Sequence, residues 1–154
     1  MAKIETITLD GRESSALNIS GVVGFPRPSD NFFNDWSDVL VIQGFFNYIA
    51  NHLRPDTIGL GGDYKVPKFT GVMDADTSSA IGAFQLSCAS FLMMKTYDNR
   101  IDPANYKNRH LRSGRRQMSI VFLHILAGDA GQMAGVGRDG YIRDMMSLND
   151  DWDG

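Results

Sequence analysis

The sequence predicts a mainly α fold: three helices, preceded by a short N-terminal β extension and followed by an extra C-terminal segment. Three observations carry this. Apolar residues recur at three- and four-residue intervals from Trp36 to Leu53, an almost charge-free helical run follows Asp74, and β-branched alternation is confined to the first 25 residues. With 154 residues, 43% of them hydrophobic, the chain has the length of one domain and can bury a core of its own.

Each element has its own signals. Ile4, Thr6 and Thr8 alternate, Asp10-Gly11 marks a turn, and a second run extends from Leu17 through Val22 and Val23, so residues 3–25 read as a hairpin or pair of strands. Phe25 to Asn31 holds two prolines and a Ser-Asp-Asn cluster and forms a lead-in loop. The first helix runs from Trp36 to Leu53 with Asn34 or Asp35 as its cap, and Arg54-Pro55 ends it. Asp56 to Thr70, with Gly59, Gly61, Gly62 and Pro67, is a long loop that wraps the surface or walls a site.

Asp74 caps the second helix, with Thr77 three residues on, and Ala80, Ile81, Phe84, Cys88, Phe91 and Leu92 continue it. Being apolar around most of its circumference, this helix is predicted to be the central, most buried element. Asp102 as cap and Pro103 at the first helical position predict a third helix, interrupted near Ser113-Gly114 and resuming from Gln117 to Leu126. Five glycines between Gly128 and Gly140 are expected to loosen the chain, and the acidic end, Asn149 to Gly154, is expected to be mobile. Three regions follow: 1–33, N-terminal strands and lead-in loop; 34–126, a helical domain; 127–154, a glycine-rich and acidic C-terminal extension.

Composition narrows the chemistry. The net charge of −3 does not mark a general polyanion binder. Asp outnumbers Glu by 16 to 2, and the two glutamates are Glu5 and Glu13, so an HExxH peptidase is excluded and a glycosidase would need Asp in both carboxylate roles. Asp also favours caps and turns over helix interiors, so the acids read as local punctuation. The single Cys88 excludes an intrachain disulfide and reads as a buried, inert thiol. His52, His110 and His124 have no partner at metal-ligand spacing, and His124 reads as a core histidine, so no metal, cofactor or catalytic residue is predicted.

Gly135-Val136-Gly137-Arg138-Asp139-Gly140 matches GxGxxG, but its dinucleotide meaning requires a preceding strand, and here it reads as a flexible turn. Lys107, Arg109, Arg112, Arg115 and Arg116 place a third of the cations within ten residues, a patch for anions or for a protein partner on a basic helix. With only Tyr106 nearby to stack bases, nucleic acid is not the expected partner. The N-terminus lacks an apolar signal segment, so the chain is expected to be synthesised in the cytoplasm without a signal peptide, and no run is long enough for a membrane span.

Asp38-Val39, Ile42-Gln43 and Asn47, then Thr70-Gly71-Val72-Met73-Asp74-Ala75-Asp76-Thr77, Ala80-Ile81 and Phe84-Gln85, and finally Asp98 to Pro103, resemble the peptidoglycan-binding-like domain family over roughly Asn34 to Leu126. Thr70, Asp74 and Asn99 stand where that family has Asp, Gly and Gly. The resemblance implies a small, non-catalytic three-helix module that binds the glycan or stem peptide of the cell wall. Its contacts would lie beside the Gly-rich loop and the second helix, at Asp63, Tyr64, Asp76 and Thr77, while Gln85 anchors a loop backbone. Stand-alone members belong to phage or secretion particles, which reconciles a wall ligand with the missing signal. Two alternatives stay open: a structural or adaptor protein, self-associating or partnered, that keeps the fold without wall binding, and a phage-encoded protein that binds a small anionic ligand such as a nucleotide.

Overall fold

Asp10 and Gly11 both adopt positive φ, 51° and 79°, as a tight two-residue hairpin turn requires. In the computed structural model, which describes residues 2–93, 98–107 and 109–147, that turn joins β1 (Lys3–Leu9) to β2 (Arg12–Asn18). The strands pair antiparallel in a register running from Lys3 opposite Asn18 to Leu9 opposite Arg12. A two-residue strand, β3 (His110–Leu111), joins the other edge of β1 in parallel, and the sheet order is β2-β1-β3.

The first helix forms where its periodicity places it, as α1 (Trp36–His52). Asp35 is the cap: its carboxylate accepts from the backbone N–H groups of Ser37 and Asp38, and the Ser37 hydroxyl, donating to it, is the main cause of its lowered pKa. Asn34 instead brackets the backbone of Gly24, accepting from its N–H and donating to its carbonyl. Twelve of the 17 residues of α1 are buried, against seven of 13 in α2 (Ala75–Ser87), so α1 and not α2 is the central element. The second helix stops at Ser87, short of Phe91, which is 55% exposed.

Asp38 has no exposed surface, yet its carboxylate is fully engaged. Oδ1 accepts from the Ser20 N–H at 3.1 Å, and Oδ2 accepts from the Ser20 hydroxyl and the Gly21 N–H at 3.0 Å each. This ties α1 to the chain just after β2 and lets Ile7, Leu17 and Ile19 join Leu40, Ile42 and Ile49 in one core. Aromatic contacts extend that core. Phe46 meets Phe84 edge-on at 5.8 Å, Phe84 stacks on Phe122 at 6.3 Å, and Phe45 meets Tyr141 at 5.7 Å.

The expected mainly α, three-helix core is corrected. Among the described residues the fold is mixed α/β, with a three-stranded mixed sheet and four helices, the last two being α3 (Ser119–Met133) and α4 (Gly140–Met146). No helix starts at Pro103, and Asp102 caps nothing. Asn18 on β2 holds the Ala104 backbone instead, donating to its carbonyl at 2.7 Å and accepting from its N–H at 3.1 Å, and the chain then goes on to β3.

The glycines after Gly128 do not loosen the chain either. Gly131 lies so close to the Gly137 carbonyl that a Cβ would collide with it, and Gly140 is equally close to Val136, so these glycines let α3 and the turn after it make close contact. Asn149 to Gly154 lies outside the described residues.

Candidate functional site

The residues that carry the resemblance form two clasped turns. Gln43, fully buried on α1, accepts through Oε1 from the N–H groups of Thr70 and Gly71 at 2.9 and 2.8 Å. Its Nε2 donates to the Val72 carbonyl and to the Thr77 hydroxyl oxygen, both at 3.0 Å. Gln85 on α2 repeats the arrangement. Its Oε1 accepts from the N–H groups of Asp98 and Asn99 at 3.3 and 3.0 Å, and its Nε2 donates to the Arg100 carbonyl at 2.6 Å.

The second residue of each turn has positive φ, 79° at Gly71 and 57° at Asn99. Asn is among the few non-glycine residues that tolerate this region. The Asn99 side chain also donates to the Ser78 carbonyl at 3.2 Å, tying the second turn back to α2.

An aromatic surface flanks the first turn. Trp36 covers Gly71 so closely that any Cβ there would strike the indole, yet 43% of Trp36 remains exposed, and Val72 beside it is 60% exposed. Asp76, in the first turn of α2, is exposed on the same end of that helix. Thr77 is not: it is buried, and its hydroxyl donates to Asp74 at 2.6 Å while accepting from Gln43, which makes it a structural residue.

Asp63 and Tyr64 are carried elsewhere. Gly61 and Tyr64 exchange backbone bonds in a small loop reached through Gly59, which abuts Ala83 and Ser87 in the last two turns of α2. The four sequence-predicted contacts are therefore not one cluster. Trp36 is the member that sequence reasoning missed, having been read only as the first core residue of its helix.

Lys107, Arg109, Arg112, Arg115 and Arg116 are all exposed, but they lie on the irregular segment around β3 and its following turn, so the expected basic helix is corrected to a basic loop. Asp10 anchors this loop, accepting from the Ser113 N–H at 3.0 Å and from its hydroxyl at 2.7 Å. The hydroxyl bond is the main cause that holds the Asp10 carboxyl below its ordinary pKa. A groove of about 940 Å³ opens between the hairpin end of the sheet and the α3–α4 turn. The GxGxxG residues form that turn, following a helix and not a strand, so the context of a dinucleotide fingerprint is missing.

His124, 3% exposed, lines this groove, with Nδ1 held 2.6 Å from the Tyr141 hydroxyl. Burial pushes its pKa down to about 4, so the ring is neutral near pH 7. Tyr141 Oη in turn accepts from the Leu17 N–H at 3.2 Å, joining α3, α4 and β2. Cys88 is buried and its thiol is pushed up to about 11 by burial, as expected of an inert cysteine. Comparison with family models, curated proteins and solved structures returns no match.

Proposed function

We propose that this chain is a non-catalytic recognition module for cell-wall peptidoglycan. The observation that carries this reading is the pair of glutamine-clasped turns: the residues on which the resemblance rests perform a common structural task, twice, at Gln43 and Gln85. The first clasp presents an exposed indole and Val72 beside the exposed carboxylate of Asp76, an apolar platform with a polar edge of the kind that suits a sugar ring carrying an N-acetyl group. Trp36 is therefore assigned to the glycan, with Asp76 at the rim.

The Cys88 thiol, buried and held protonated by that burial, is not poised as a nucleophile, which agrees with a non-catalytic role. Titration with soluble peptidoglycan fragments, followed by tryptophan fluorescence, tests the assignment. Saturable quenching that disappears in Trp36→Ala is expected, and a titration identical in both proteins would refute it.

A further inference from the structure

The groove of about 940 Å³ lies between the hairpin and the second half of α3, away from the clasped turns, and it falls within the size range of small-ligand sites. Its lining is acidic. The carboxylates of Asp10, Glu13, Asp129 and Asp139 share it with two guanidinium groups, Arg12 and Arg138, and Arg138 is already paired with Asp129 at 2.8 Å. Asp10 and Asp139 are held by a hydroxyl and an N–H, from Ser113 and Ser15, which favour the ionised carboxylate and cancel none of its charge. Glu13 is exposed, and its carboxylate has no hydrogen-bond or ion-pair partner among the described residues. Arg112, beside Ser113, is not among the lining residues. The surplus charge of the groove is therefore negative and suits a cation.

Two uncharged features narrow that cation to a peptide. The first is the outer edge of β2. The N–H groups of Ser15 and Leu17 point away from β1: the first donates to Asp139 Oδ2 and the second to Tyr141 Oη, each at 3.2 Å. In an antiparallel pair alternate residues face the partner strand and the free side in turn, so the N–H and carbonyl of Glu13 also face outward. No group caps them among the described residues, which leaves one peptide unit of the sheet edge open to pairing.

The second feature is His124, which lines the groove although it is 3% exposed. Tyr141 Oη accepts from the Leu17 N–H, and giving its own proton to His124 Nδ1 satisfies both side chains, which leaves the ring proton on Nε2. Nε2 has no hydrogen-bond partner among the described residues, yet it is not sealed from solvent, so it offers the groove a fixed N–H donor. Leu17, to which this histidine is linked through Tyr141, lies four residues along β2 from Glu13, about 13 Å of extended chain.

We propose that the groove binds a short basic peptide in extended form. One ligand residue exchanges backbone hydrogen bonds with Glu13, extending the sheet beyond β2, and a carbonyl further along the ligand accepts from His124 Nε2. Lysine or arginine side chains of the ligand meet the carboxylates of Glu13 and Asp139. Arg12 opposes such a ligand and keeps its affinity modest. This site is separate from the Trp36 surface and does not depend on wall binding.

Fluorescence anisotropy of the full chain with a labelled pentapeptide of alternating lysine and valine tests the proposal. Glu13→Gln is expected to weaken binding about threefold, the loss of one exposed ion pair, and Glu13→Lys about tenfold. Arg12→Gln should strengthen it, and N-methylation of the peptide's inner amides should weaken it roughly fivefold without changing its charge. Glu13 is exposed, so circular dichroism of its variants should match the wild type. Absence of binding, equal binding of the glutamate–valine counterpart, indifference to Glu13→Lys, or indifference to N-methylation would each overturn the proposal.

Discussion

Gln43 and Gln85 hold successive turns by the same three-part clasp: one amide oxygen accepts from two consecutive backbone N–H groups, and the amide nitrogen returns a bond to the carbonyl of the next residue. Each glutamine sits on the helix that precedes its turn, so each turn is fixed to the helix before it and not merely to its own chain direction. The relationship explains why glutamine occurs at these places. No other uncharged side chain except asparagine offers both an acceptor and two donors, and asparagine is shorter by one methylene.

Replacing Gln43 by Ala should cost about 3–4 kcal/mol, because the buried Gly71 N–H, the part-buried Thr70 N–H, a carbonyl and the Thr77 hydroxyl lose their partner at once. Gln85→Ala should cost less, about 2–3 kcal/mol, since its bonds to the turn are all part-buried, whereas Gln43 makes two fully buried ones, to the Gly71 N–H and the Thr77 hydroxyl. Urea unfolding curves measure both. A loss under about 1 kcal/mol at Gln43 would mean the turn holds itself together.

Gly71→Ala should destabilise the fold through two separable causes, the positive φ of 79° and the collision with Trp36. In a Trp36→Ala background the collision is gone and only the conformational cost, about 1 kcal/mol, should remain. A double-mutant cycle on the unfolding free energies separates the two, and identical costs in both backgrounds would show that the indole simply moves aside.

The buried histidine gives stability a pH dependence of definite sign. In the folded chain His124 takes up a proton near pH 4, whereas in the unfolded chain it does so near 6.5. As pH falls through this window the unfolded chain binds more protons, so stability is complete above about 6.5 and declines toward 4, by about 3 kcal/mol in all. His124→Gln should flatten that part of the profile. A wild-type melting temperature constant between pH 6.5 and 4 would contradict the assignment.

Local signals were legible where the chain's own neighbours decide the outcome. Asp35 and Asp74 cap α1 and α2, Asp10-Gly11 turns the hairpin, and Gln85 anchors a backbone loop through its amide. Where distant residues decide, local grammar misled. Asp102-Pro103 has every mark of a helix start, but Asn18, 86 residues away, takes both backbone groups of Ala104. Gly131 of α3 serves a contact with the Gly137 carbonyl that no local pattern announces. Of the candidate site, Asp76 keeps an exposed position, Thr77 belongs to the clasp, and Trp36 was hidden because one side chain both covers Gly71 and faces solvent.

Retention on purified peptidoglycan sacculi tests wall recognition most directly. The wild-type chain should sediment with sacculi at moderate salt, and Trp36→Ala should lower the ratio of sedimented to free protein about tenfold, the loss expected when one stacked aromatic is removed. A wild-type chain that stays in the supernatant, or a Trp36→Ala variant retained as well as the wild type, would contradict it.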